Sequence, residues 1–164
     1  MALPQMNSRR DIEGGAVAQS VLVHRQETGE ELTVPSNTPF LLEFTSSEGN
    51  TDMWSLDEPS KLIALADDYY NANFIIAFED VEALSDRHAY IVLNGTTEIG
   101  RSTHLSSTGL GGREAVLSVE SGPVFMSAGE YVEAYCLHNA GTDPNVGGPS
   151  FPLHFGLERV ICLV

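Results

Sequence analysis

Basic residues are scarce in this chain. Eight Lys and Arg stand against 23 Asp and Glu, a formal net charge of −15, and the single lysine is Lys61. Such a surface repels phosphate backbones and anionic lipid, so neither nucleic acid nor a membrane surface is an expected partner. Cysteine is nearly absent. Cys136 and Cys162 each sit in an apolar run, and two cysteines make no disulfide framework. They read as small core residues, with a bridge between adjacent strands as the alternative. No apolar run approaches the roughly 18 residues of a membrane-spanning helix. The opening "MALPQMNSRRDIEGG" has no apolar signal core, so synthesis and use without Sec export are expected.

Catalytic signatures are missing as well. His24, His88, His104, His138 and His154 show no HxH, HxxxH or HExxH spacing, and there is no CxxC or zinc pattern. GxSxG, Walker and GxGxxG motifs do not occur. "GLGGRE" at 109–114 lacks the Lys-Ser/Thr and helix start of a phosphate loop and reads as a mobile loop. The acidic pieces "ADD", "EDVE" and "GTDPNVGG" match no calcium-loop spacing and read as solvated loops. No catalytic residue, metal or cofactor is therefore expected.

What remains is a chain of 164 residues, 42% of them hydrophobic, enough for one domain with a core of its own. From residue 31 onward it is organised in short runs of period two. "PFLLEF" (39–44) alternates Phe40, Leu42 and Phe44 on one side. "NFIIAFED" (73–80) sets Phe74, Ile76 and Phe78 on one face. "HAYIVLNG" (88–95) opposes Tyr90 and Val92 to Ala89, Ile91 and Leu93. Its Asn94-Gly95 pair is a hairpin signal, because both residues tolerate positive φ. "TTEIGRS", "REAVLSVES", "PVFMS", "EYVEAYCL" and "FPLHFGLERVICLV" complete the series. "DEPSKLIALADDYYNA" carries a helical spacing of Leu62, Leu65 and Ala66, yet "KLIAL" also fits a strand. Eight to ten short strands with little helix point to an all-β sandwich or barrel of antiparallel sheets. Residues 1–30 carry no aromatic side chain and read as an N-terminal arm ordered by an outside contact.

The order of landmarks is more specific. "LTVPSNTPFLLEF", Trp54 in "DMW", "KLIALADDYYNANFIIAF", "DRHAYIVLNG", "SAGEYVEAYCLHNAG" and "PSFPLHFGLERV" follow one another over residues 31–164. That succession resembles the tumour necrosis factor-like and complement-head-like jelly roll, an antiparallel β-sandwich. It looks closest to the jelly-roll proteins that tailed bacteriophages carry on their virions. The resemblance implies a homotrimer about a three-fold axis, with aromatic faces offered to the neighbouring copies. Tyr131, Glu133 and Tyr135 share one face of "EYVEAYCL", and Phe151 and Phe155 share one face of the last strand. These five are the candidate trimer-interface residues. Gly156 within that strand reads as a bulge, with close approach of a neighbouring subunit as the second reading.

The function so implied is a decoration or cement protein on the outer surface of a bacteriophage head. It would be made in the host cytoplasm, with itself and the major capsid protein as partners. Arg9, Arg10, Val21 and Val23 of the arm are the candidate capsid contacts. The alternatives are a receptor-binding knob on a tail or head fibre and, on weaker grounds, a jelly-roll enzyme. The 30 residues ahead of the strands are short for a fibre, which favours the cement reading.

Overall fold

The computed structural model describes residues 19–25, 32–78, 85–105, 115–146 and 153–160. They form twelve strands: β1 (Ser20–His24), β2 (Leu32–Thr33), β3 (Phe40–Leu41), β4 (Ser46–Gly49), β5 (Lys61–Ile63), β6 (Asp68–Phe78), β7 (Asp86–Leu93), β8 (Thr97–Leu105), β9 (Ala115–Met126), β10 (Tyr131–His138), β11 (Asn145–Val146) and β12 (Leu153–Arg159). A single 3-10 turn at Thr51–Met53 is the sole helical element among the described residues. The ambiguous 57–72 stretch resolves as strand, in β5 and the start of β6.

Two antiparallel sheets face each other. Sheet I has the order β2-β11-β6-β12-β1-β4, with β9 on the other side of β6; sheet II has the order β3-β10-β7-β8, with β5 also on β10. The all-β antiparallel jelly-roll sandwich expected from the period-two pattern is thus the architecture observed. Inward positions follow that pattern: Phe74, Ile76 and Phe78 of β6 are fully buried, as are Ala89 and Ile91 of β7 and Val132, Ala134 and Cys136 of β10. At the centre Phe155 of β12 stacks on Phe44 at 5.8 Å and meets the Phe74 ring edge-on at 6.1 Å. Burying one such ring contributes roughly 2–3 kcal/mol. The Asn94-Gly95 turn joins β7 to β8 as expected, with φ of 51° and 68°. At the open side of the sandwich β8 closes onto β9. The Gly100 backbone lies so near that a Cβ there would sit 2.9 Å from the Glu120 carbonyl oxygen.

Three expectations are corrected. First, β1 lies within the segment read as an arm, yet it is an interior strand of sheet I. It pairs with β12 from Ser20↔Glu158 to His24↔His154 and with β4 on its other edge. Val21 and Val23 are 3% and 0% exposed. They belong to the core and cannot touch a capsid, because their side chains point between the sheets. Second, Phe155 faces the same interior and is no interface residue, since the inward set of β12 is Leu153, Phe155 and Leu157. Third, Gly156 is no bulge. Its pairing with Leu22 and Asn73 is in register, and the side chain it lacks would collide at 3.0 Å with the Asn73 amide. The irregularity instead falls on β9, opposite Asn71 and Asn73. Arg9, Arg10, Phe151 and Cys162 lie outside the described residues.

Val23→Asp places an unpaired carboxylate in the core and is expected to abolish the cooperative thermal transition. Phe155→Ala is expected to lower the urea unfolding free energy by about 3–5 kcal/mol. A loss under 1 kcal/mol at Phe155 would return that ring to the surface.

Candidate functional site

Two sheets packed by their inner faces leave two outer faces, and these differ in chemistry. On sheet II the outward residues of β10 are Tyr131, Glu133 and Tyr135, the three expected to share a face. β7 lays Tyr90 and Val92 directly beside Tyr135 and Glu133. Tyr90 and Tyr135 stack in parallel at 5.4 Å and 8°. The Arg101 guanidinium, from the neighbouring β8, lies 4.7 Å over the Tyr90 ring and is ion-paired with Glu98. Lys61 of β5 lies 4.6 Å over Tyr131 and bonds Glu58 at 2.5 Å. The Arg101 contact contributes about 0.5–1 kcal/mol, the range of an exposed cation–π pair.

Glu133 sits at the centre of this face and is only 6% exposed. Its carboxylate accepts long hydrogen bonds from Ser60 Oγ at 3.5 Å and Tyr135 Oη at 3.4 Å. Burial, then the charge of Glu133 and its hydrogen bond, raise the Tyr135 phenol above its ordinary pKa. Burial likewise raises Tyr90, against the opposing pull of Arg101. The ring faces on sheet II are therefore covered by the chain's own cations and by each other.

The outer face of sheet I is different. Antiparallel register sets it out in rows across β9, β6, β12 and β1. Ser118, Ile75, His154 and His24 form one row; Glu120, Asn73, Gly156 and Leu22 the next; Phe125 and Tyr69 close it at one end. Leu22 (36% exposed), Tyr69 (51%), Val116 (56%) and Phe125 (52%) all project from it. Tyr69 and Phe125 meet edge-to-face at 5.6 Å. Between the apolar ends lie two shallow hollows. One of about 400 Å³ is lined by Asn71, Asn73, Glu120, Pro123 and Glu158. The other, about 290 Å³, opens over Leu22, Glu48, Asn73 and Gly156. Its floor exists because Gly156 presents no side chain.

This face was not singled out in the sequence. The signal was present in "DDYYNANF", where period two sends Tyr70 inward and Tyr69 outward. The irregularity near Gly122, whose φ is +66°, hid the matching phase of Phe125.

Titratable groups elsewhere have structural roles. His138 is fully buried; its Nε2 donates to the Val34 carbonyl at 2.7 Å and its Nδ1 accepts from the Ala140 amide at 3.1 Å. Cys136 is free among the described residues, and burial pushes its thiol up to about 12. Arg87 is 2% exposed, with Nη2 donating to Ser85 Oγ at 2.9 Å. Among the described residues no three His, Cys, Asp or Glu side chains converge as a closed metal site requires.

No protein-family model and no curated protein matches this chain. Solved structures do. The globular domain of zebrafish complement 1qA protein superposes with a TM-score of 0.53 over 88% of this chain and 98% of its own, at 12% identity. The Eiger TNF of S. frugiperda superposes with a TM-score of 0.50 over 90% of this chain and 95% of its own, at 16% identity. At these identities the likeness is one of fold: a complement-head and tumour necrosis factor-like jelly roll.

In an absorbance titration of the phenols, Tyr90 and Tyr135 are expected to ionise later than exposed tyrosines. Glu133→Gln removes one of the raising charges and is expected to move the Tyr135 transition to lower pH. An unchanged Tyr135 titration in that variant would contradict the contact described.

Proposed function

We propose that this protein is a non-enzymatic structural module that assembles as a homotrimer and decorates the outer surface of a bacteriophage head. The observation that carries the assembly part is the outer face of sheet I. Four large apolar side chains, Leu22, Tyr69, Val116 and Phe125, project from one continuous sheet surface. A monomer leaves such a patch in water at a cost, and burial against another copy removes it. The Tyr131, Glu133, Tyr135 face is the weaker candidate, because its rings are already covered by Lys61 and Arg101.

Three copies meeting through sheet I would turn sheet II outward, where the net charge of −15 keeps neighbouring trimers from aggregating. The virion placement rests on the sequence resemblance, and the capsid contact then falls to Arg9 and Arg10, ahead of β1. Weak contacts from three arms combine into a large avidity.

Light scattering on the eluting protein is expected to give three times the 17.7 kDa chain mass. Tyr69→Ser with Phe125→Ser is expected to yield monomers that keep a cooperative melt, whereas Tyr135→Ser leaves the trimer intact. A wild-type monomer at high concentration would overturn the assembly. Removal of residues 1–18 is expected to abolish binding to purified heads without changing the oligomer. Retained binding would overturn the arm's role, and no binding by the wild-type chain would overturn the virion placement.

A further inference from the structure

His24 and His154 face each other across β1 and β12, on the outer side of sheet I. The ladder fixes how closely. The Arg25 amide bonds the Leu153 carbonyl at 3.3 Å, and the Arg159 amide bonds the Gln19 carbonyl at 2.8 Å. Hydrogen-bonded pairs alternate with non-bonded ones in an antiparallel ladder, so 24/154 falls on a non-bonded pair. There the Cα atoms are about 4.5 Å apart and side chains approach most closely. The two imidazoles lie 6.2 Å apart, tilted by 55°. Both are half-buried, with Ser46 of β4 beside His24 and Ile75 of β6 beside His154. His154 Nδ1 is shielded from solvent and has no hydrogen-bond partner. A buried polar nitrogen without a partner is costly.

We propose that His24 and His154 form a cross-strand chelate for a borderline divalent transition ion, with Zn²⁺ as the probe. Two imidazoles sharing one ion at about 2.0–2.1 Å place their ring centres roughly 5–6 Å apart. The observed spacing needs only a small side-chain rotation to reach that. Ligation through Nδ1 would satisfy the orphaned nitrogen of His154. Two protein ligands make an open site, with water in the remaining positions. Imidazole nitrogen selects Cu²⁺ and Zn²⁺ over Ca²⁺ and Mg²⁺. Both ligands come from one chain, so the pair forms without a partner copy; it lies on the face through which the proposed trimer would assemble, where its open positions would face the neighbouring copies.

The test uses the full, tag-free chain, stripped with EDTA and titrated with Zn²⁺ against a chromophoric chelator. One Zn²⁺ per chain is expected, with Cu²⁺ tighter and Ca²⁺ and Mg²⁺ not competing. His24→Gln and His154→Gln are each expected to weaken binding at least tenfold. His88→Gln, on the other sheet, is expected to leave it unchanged. Imidazole nitrogen shifts of His24 and His154 in the wild-type chain give a readout independent of any variant's folding, and both are expected to move with Zn²⁺. Absence of Zn²⁺ binding at tens of micromolar chain overturns the proposal. So does binding that survives both substitutions, or that leaves both histidine signals in place.

Discussion

The seating of Phe155 between Phe44 and Phe74 is the contact on which the rest of this structure depends. It joins β12 to β6 within sheet I and bridges to the Phe44 segment, whose amide bonds the Pro59 carbonyl at 3.1 Å. Because strands alternate, fixing Phe155 inward fixes His154, Gly156 and Glu158 outward. The same step carries to β1 through the 24/154 to 20/158 register, which sends Val21 and Val23 inward and Leu22 and His24 outward. One aromatic packing choice thus sets which residues of β12 and β1 face outward on sheet I.

The two outer faces show how a small acidic protein separates roles. Sheet II spends two of its few cations over its own tyrosines, leaving a surface with its aromatic rings covered. Among the described residues, sheet I receives no such cover. Arg159 of β12 bonds Asp68 at 2.5 Å and ties the end of β12 to the start of β6 at the margin. Among the described residues, the apolar ends of sheet I are exposed around an acidic, amide-rich centre. Desolvating that centre carries a cost unless hydrogen bonds replace the water, so the proposed assembly through this face would have to match its polar hollows as well as its apolar ends.

Much of the fold was legible because it is written locally. Phe74, Ile76 and Phe78 show their alternation within five residues, and Asn94-Gly95 specifies its turn with two. The inward set of β7 and that of β10 follow from the same period. β1 was not legible. It offers only Val21 and Val23 as core residues, and of its two partner strands β12 is more than 100 residues further along while β4 is a short polar run. Tyr131, Glu133 and Tyr135 were correctly placed on one face, but Lys61 and Arg101 reach that face from other strands. Their arrival turns an apparent aromatic surface into a covered one, which no local spacing reveals.

The sequence by itself determined the class of this protein: antiparallel strands of period two, one buried face each, a strongly acidic exterior. Those properties depend on neighbours one or two residues apart and on summed charge. Only the tertiary structure decided which strands are interior, which aromatic rings are covered, and that His24 stands opposite His154. Such facts depend on strand order and register between distant segments, and a register shift of one residue turns a strand's inward side chains outward.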